Sequence, residues 1–190
     1  MGKIRILLQH IADVNQKSRL KSKIFRWFFF SYTKGDNAVK GHAPTVSDIR
    51  LQSYKHRFTK SFISELKDNE IFVFGSNGVG KHGAFAAKMA LDHFGAIYGQ
   101  PIGLQGQSYA IPTKDRTIKR SLDLSVIQLY VEEFICFASM NKNYTFLVTP
   151  IGCGAAGYKS KQIAPLFIDA LPFENIHLPE SFFQVILEYY

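Results

Sequence analysis

The stretch Ile71-Phe-Val-Phe-Gly75-Ser-Asn77-Gly-Val-Gly80-Lys-His-Gly83, followed by Ala84-Phe-Ala-Ala-Lys-Met-Ala90, constrains this chain most. A short apolar run bounded by glycine reads as a buried strand, and the alanine-rich run after Gly83 favours helix. The glycines between them let backbone approach a ligand closely. A helix that starts directly after such a loop offers free N–H groups and the positive end of its dipole, which suits phosphate. The unit therefore predicts phosphate or nucleotide binding.

A second unit of the same kind lies downstream. Thr145-Phe-Leu-Val-Thr149 reads as a strand running into Pro150-Ile-Gly152-Cys-Gly154-Ala-Ala-Gly157-Tyr158, and a helix is expected over 160–171. Of the 14 glycines, 11 fall in residues 75–106 and 152–157. Two glycine-rich strand-to-helix turns in one domain fit a ligand held across the carboxyl ends of parallel strands.

Between and after these units the pattern stays regular. A short helix is expected over Phe62–Leu66, a helix near His82–Phe94 with Gly95 as its C-terminal glycine, and a short strand at Tyr109–Ile111. The clearest helix runs from Leu122 to Met140. Leu124, Ile127, Val131, Phe134, Ile135 and Ala138 form its apolar stripe, with Glu132 and Glu133 outside it. A last strand over Asn175–Leu178 and a helix over Pro179–Leu187 close the chain. Strands alternating with helices predict a mostly parallel α/β sheet.

Charge separates the two ends of the chain. Residues 1–60 carry 13 Lys/Arg against 3 Asp/Glu, whereas residues 61–190 carry 10 against 12. The net charge of +8 therefore belongs to the N-terminal third. Residues 1–56 read as a basic extension and 57–190 as the α/β domain, with 34–48 as a linker. Ile4–Phe30 has helical apolar spacing with interleaved Lys and Arg. That pattern suits an anionic partner, nucleic acid or a membrane surface, and equally a helix packed on the domain or a solvated tail. No run of 18 apolar residues predicts a transmembrane helix, and Trp27-Phe-Phe-Phe30 is too short for a signal-peptide core. Two cysteines, Cys136 and Cys153, make neither a disulfide framework nor a metal quartet, so no metal or cofactor is expected and the default location is the cytoplasm.

Several residues carry candidate chemistry beside plainer structural readings. Gly75 to Lys81 nearly completes a P-loop, but His82 stands where the magnesium-holding Ser or Thr belongs, which disfavours an NTPase. Lys81 reads as a phosphate contact or a solvated loop residue. Asn77 reads as a sugar or water ligand, or as the amide of an Asx-turn. His82 and Asp115 are the candidate acid/base groups. The plain readings are a capping histidine and a turn acid paired with Lys114 or Arg116. Cys153 reads as a thiolate at a helix start or a small residue under the loop. Tyr158 reads as a lid on the ligand or a packing tyrosine.

At these two loops the chain resembles the macrodomain superfamily of ADP-ribose-binding modules. Val73-Phe-Gly-Ser-Asn77 is similar to that family's asparagine segment, Gly80-Lys-His-Gly83-Ala-Phe-Ala-Ala87 to its ribose-side turn, and Pro150 to Tyr158 to its diphosphate loop. Over 60–187 the chain looks like a macro-like family of bacteria and phages with similar F-G-S-N, H-G-A, G-L-Q-G-Q-S-Y-A-I-P-T and I-G-C-G-x-A-G segments. The resemblance implies a three-layer fold with helices on both faces of the sheet. It also implies binding, or hydrolysis, of ADP-ribose or a related nucleotide. The ligand set it implies is Gly75, Ser76, Asn77, Gly78, Gly80, Lys81, Gly83, Gln107, Gly152, Cys153, Gly154, Ala155, Ala156, Gly157 and Tyr158. Three departures count against catalysis and adenine selectivity: Phe58-Thr-Lys-Ser-Phe-Ile63 lacks the family's adenine-reading aspartate, Phe74 stands where a first asparagine would be, and the paired glutamates of its glycohydrolases are absent near Gly80–Gly83. The alternatives are a non-catalytic reader or sponge of ADP-ribosylated partners or signalling nucleotides, and a phage structural or interaction protein that reuses the fold.

Overall fold

The structure, a computed structural model, describes residues 46–189. The amphipathic segment expected at Ile4–Phe30 and most of the linker expected at 34–48 lie outside the described residues. Helix α1 (Val46–Ser53) and a 3-10 turn (Lys55–Arg57) lead into β1 (Phe58–Thr59). Then come β2 (Glu70–Asn77), α2 (Phe85–His93), β3 (Gly103–Gln105), β4 (Ser108–Lys114) and α3 (Leu124–Met140). The chain ends with β5 (Thr145–Val148), α4 (Ser160–Ile163) running into a 3-10 helix (Ala164–Ala170), β6 (Ile176–Pro179) and α5 (Glu180–Tyr189).

The strands form one six-stranded sheet in the order β1-β6-β5-β2-β4-β3. All neighbours are parallel except the edge pair β3–β4. The mostly parallel α/β sheet expected from the alternation of elements is therefore present. β2 is central, flanked by β5 from Glu70 to Val73 and by β4 from Phe72 to Asn77. A strand covered on both faces needs apolar residues in both phases, and β2 has them. Ile71 and Val73 join α3, α5 and the 3-10 helix in one core, with Phe134, Phe167 and Phe182 at its centre. Phe72 and Phe74 join Ala87, Ala90 and Phe94 of α2 in the other. Helices thus cover both faces.

Four local differences from expectation have identifiable causes. Phe62–Leu66 forms no helix; Ile63 is drawn into the second core while its neighbours bend around it. The helix expected over 160–171 stops being α-helical after Ile163 because Pro165 has no N–H to donate and its ring crowds the preceding turn. β4 continues past Pro112 to Lys114, since β3 pairs only as far as Ala110 and the face of Pro112 turned away from β2 has no ladder to complete. Finally, α1 belongs to the folded unit. Leu51 packs on the main core and Tyr54 stacks on Phe183 with ring centroids 5.0 Å apart. The α3 stripe is buried at Ile127, Val131, Phe134, Ile135 and Ala138 as its periodicity predicts, with Leu124 half-buried. Gly95 follows α2 at φ +74°, and the Ala96 N–H returns to the Ala90 carbonyl at 3.0 Å. Among the described residues no helix is long and apolar enough to cross a membrane.

Candidate functional site

A cavity of about 440 Å³ opens where β2, β4 and β5 end. Parallel pairing brings these three carboxyl ends to one edge of the sheet, so the loops that follow them meet there. The cavity is lined by Gly75–Asn77 and Lys81 after β2 and by Gly83–Ala87 at the start of α2. Thr113, Lys114 and Ile118 line it beside β4, and Thr149–Ala156 line it after β5. The two glycine-rich turns touch at its floor: a Cβ on Gly75 would lie 3.6 Å from the Gly152 nitrogen.

Backbone donors are its main polar resource. Helix α2 begins at Phe85 after Ala84, whose side chain offers no cap. The first turn of a helix has no internal partner for its N–H groups, so those of Phe85, Ala86 and Ala87 remain available. In the second loop the Ala155 carbonyl accepts from Lys114 Nζ (3.3 Å) and the Ala156 carbonyl from Ser121 Oγ (2.7 Å). The N–H groups of Gly154, Ala155 and Ala156 make no hydrogen bond among the described residues. The loop reaches this shape through Gly152 at φ +75°, where a Cβ would sit 2.9 Å from Ile163 Cδ1.

The charged side chains on the lining are Lys81 and Lys114, and the lining contains no carboxylate and no imidazole. The hydroxyls are already committed: Ser76 donates to the Pro101 carbonyl, Thr113 to the Ser76 carbonyl and Thr149 to the Val73 carbonyl. Burial pushes the Cys153 thiol above its ordinary pKa, more than a bond from Ser160 lowers it, so it is not a stabilised thiolate.

Of the residues singled out from the sequence, Gly75, Ser76, Asn77, Lys81, Gly83 and Gly152–Ala156 line this cavity, and the others lie elsewhere. Asn77 faces it with its amide engaged in the turn. Oδ1 accepts from Lys81 N (3.1 Å) and Val79 N (3.3 Å), and Nδ2 donates to the Lys81 carbonyl (2.7 Å). A β-bulge between Ser76 and Asn77 sets up this turn. Gly78 packs on Asp115 and Arg116, and Gly80 packs on Gly99 and Gln100. At Gly80, φ is +67° and a Cβ would fall 2.5 Å from the Gln100 nitrogen, so glycine there serves loop packing. Gln107 sits at the opposite, amino end of β4, where Nε2 donates to the Lys67 carbonyl at 2.9 Å. Gly157 and Tyr158 close the second loop, the Tyr158 hydroxyl donating to the Leu122 carbonyl.

The structure does not bring the two candidate acid/base groups to the cavity. Asp115 lies at the surface, where its carboxylate accepts from Thr117 Oγ1 (2.7 Å) and Thr117 N (3.0 Å). Those bonds, the hydroxyl's first, hold its pKa below the ordinary value. His82 is 1% exposed, edge-on to Phe74, with Nε2–H donating to the Gln100 carbonyl at 3.2 Å. Burial lowers its pKa and the Gln100 carbonyl works against that. His177 is shifted the same way, mainly by burial and then by Arg57.

Both histidines thus bind protons less readily in the fold than in the unfolded chain. Their contribution is complete above the ordinary histidine value of about 6.5 and is lost as pH falls below it toward the depressed values. Urea unfolding at pH 7.5 and at pH 5 should show lower stability at pH 5. His82→Gln should shrink that difference, leaving the share of His177.

Several lining residues were not singled out from the sequence, Thr113 and Ile118 among them, and two bear most on ligand binding. One is Phe85, at φ +49° and 75% exposed. Its signal was a lone large aromatic in an alanine run. The other is the Lys114 cation, which from sequence read only as the partner of Asp115. No protein-family model, no curated protein and no solved structure matches this chain.

Proposed function

We propose that this protein binds an ADP-ribose-type nucleotide in the cavity as a reader, without turning it over. The observation that carries the reading is the convergence of unpaired N–H groups from two separate glycine-rich turns, Phe85–Ala87 and Gly154–Ala156, beside Lys81 and Lys114. Backbone donors at a helix start and in a bare loop are suited to a diphosphate, and the two lysines add attraction without demanding one geometry. The loops are the same segments on which the resemblance to macrodomains rests, which supports ADP-ribose as the nucleotide to try first. Hydrolysis is left out of the proposal because a general acid or base must come within hydrogen-bond reach of the reacting atoms. His82 and Asp115 stand off the cavity, and no other carboxylate or imidazole lines it.

The test is calorimetry with ADP-ribose, its cyclic form, NAD and ATP, with product analysis over hours. Saturable binding of ADP-ribose with no product supports a reader. Product formation would move the protein to the hydrolases. Absence of heat with all four at millimolar concentration would refute the nucleotide reading.

A further inference from the structure

Phe85 combines a strained backbone with an exposed ring. A bulky aromatic at φ +49° occupies the left-handed region, which costs on the order of 1–2 kcal/mol for a side chain other than glycine. The ring is then left 75% exposed, and it makes no ring contact among the described residues. Apolar exposure and backbone strain usually have separate explanations. Here they coincide at Phe85, on the wall of the cavity and at the first turn of α2, where the free N–H groups lie; Ile118, at φ +67°, lines the same cavity but is half-buried. Backbone strain of this kind clusters at active sites and ligand clamps, where it is part of the mechanism.

We propose that Phe85 is the stacking residue of this cavity. Its ring takes the flat or apolar face of a ring carried by the ligand's phosphate, either the base or the ribose. The proposal rests on the nucleotide reading above and adds to it: the site should favour nucleotides over bare diphosphate. Ile118, Ile151 and Ala87 offer further apolar lining for the same ring. A stacking contact of this kind is directional and tolerant of base identity, because every base has a π-face.

The experiment uses the full chain as wild type, Phe85→Ala, Phe85→Tyr and Phe85→Gly. Each is titrated calorimetrically with ADP-ribose, ADP, ribose 5-phosphate and inorganic pyrophosphate. Phe85→Ala should weaken ADP-ribose about 10-fold or more while leaving pyrophosphate within about 2-fold. Phe85→Tyr should keep wild-type affinity. Alongside the weakened ADP-ribose, loss for ADP with ribose 5-phosphate unchanged places the stacked ring on the nucleoside, and loss for ribose 5-phosphate with ADP unchanged places it on the distal sugar. Phe85→Gly should melt at or near the wild-type temperature, since glycine takes this φ freely and the ring is mostly exposed.

Equal weakening of pyrophosphate and ADP-ribose would mean that Phe85 shapes the loop, and that overturns the proposal. So would unchanged ADP-ribose affinity in Phe85→Ala, with the nucleotide reading left standing. If wild type binds pyrophosphate but none of the three ring-bearing ligands, both the stacking proposal and the nucleotide reading fail.

Discussion

Replacing Arg57 with methionine should destabilise the domain by about 2–4 kcal/mol, a large part of a typical folding free energy of about 5–15 kcal/mol. The side chain is fully buried. Its guanidinium donates to four backbone carbonyls on the approach to β6. Nη1 bonds the Leu171 carbonyl at 2.9 Å. Nη2 bonds those of Phe173 (2.7 Å), Ile176 (2.8 Å) and Ala170 (3.2 Å), and Nε bonds Ile176 again at 3.2 Å. The cation also lies over the rings of Tyr54 (5.5 Å) and Phe183 (5.7 Å), with Glu174 at 3.7 Å. Methionine keeps much of the apolar stem and removes every donor; the Ala170 and Phe173 carbonyls keep the N–H groups of Phe173 and Ile176 (both 3.1 Å), so the loss falls mainly on the Leu171 and Ile176 carbonyls. A buried carbonyl that loses its donor costs about 1–3 kcal/mol, and water reaching the part-buried Leu171 carbonyl makes the total less than the sum. Burial lowers the Arg57 pKa, while Glu174 and then Tyr54 act against it. Lysine should rescue only partly, because it has three donors on one atom where arginine has five in a fixed fork. Denaturant titration decides the matter, and a loss below about 1 kcal/mol would show that this carbonyl cluster does not depend on Arg57.

Gly154→Glu should abolish nucleotide binding, with at least about a 100-fold loss of affinity, in a protein that melts as wild type does. At Gly154 the backbone is outside the positive-φ region and a Cβ would meet nothing within 4 Å, so a side chain is accommodated. A carboxylate there faces the place where the free N–H groups of Gly154–Ala156 would hold phosphate. Two like charges about 4 Å apart at an effective dielectric of about 20 repel by about 4 kcal/mol, before the steric loss. Gly154→Lys is the informative control: it adds similar bulk with the opposite charge, so it should keep far more affinity. Calorimetry and thermal melting of both variants give the answer. Equal affinities in the glutamate variant and wild type would place the phosphate elsewhere. Gly152 is unsuitable for this test, because φ +75° and the 2.9 Å approach to Ile163 would make any substitution structural.

The first cavity wall was legible because its determinants are local. The continuous apolar run Ile71–Phe74, the glycines after it and the alanine run after Gly83 dictate strand, loop and helix from neighbouring residues alone. The same is true of α3, whose stripe repeats over four turns. Arg57 was not legible as a buried group, since arginine is almost always exposed and its partners lie more than a hundred positions away. β3 is three residues long and antiparallel to β4; nothing in Gly103-Leu-Gln105 distinguishes it from a loop until β4 lies beside it.

The same division runs through the candidate site. Residue type and spacing alone determined that two glycine-rich strand-to-helix turns exist, that they sit in a mostly parallel α/β domain, and that the positive charge lies outside that domain. Only the tertiary structure decided what each side chain is left free to do. Parallel pairing of β2 with β4 and β5 brings both turns to one edge. Packing of Gly80 against Gln100 accompanies the burial of His82 beside Phe74, away from the cavity. The Asx-turn absorbs the amide of Asn77, and a surface turn absorbs Asp115. Phe85 is left at the wall with its ring unused. A sequence specifies which groups are present, but whether a polar group is spent inside the protein or offered to a ligand depends on partners that come from distant parts of the chain.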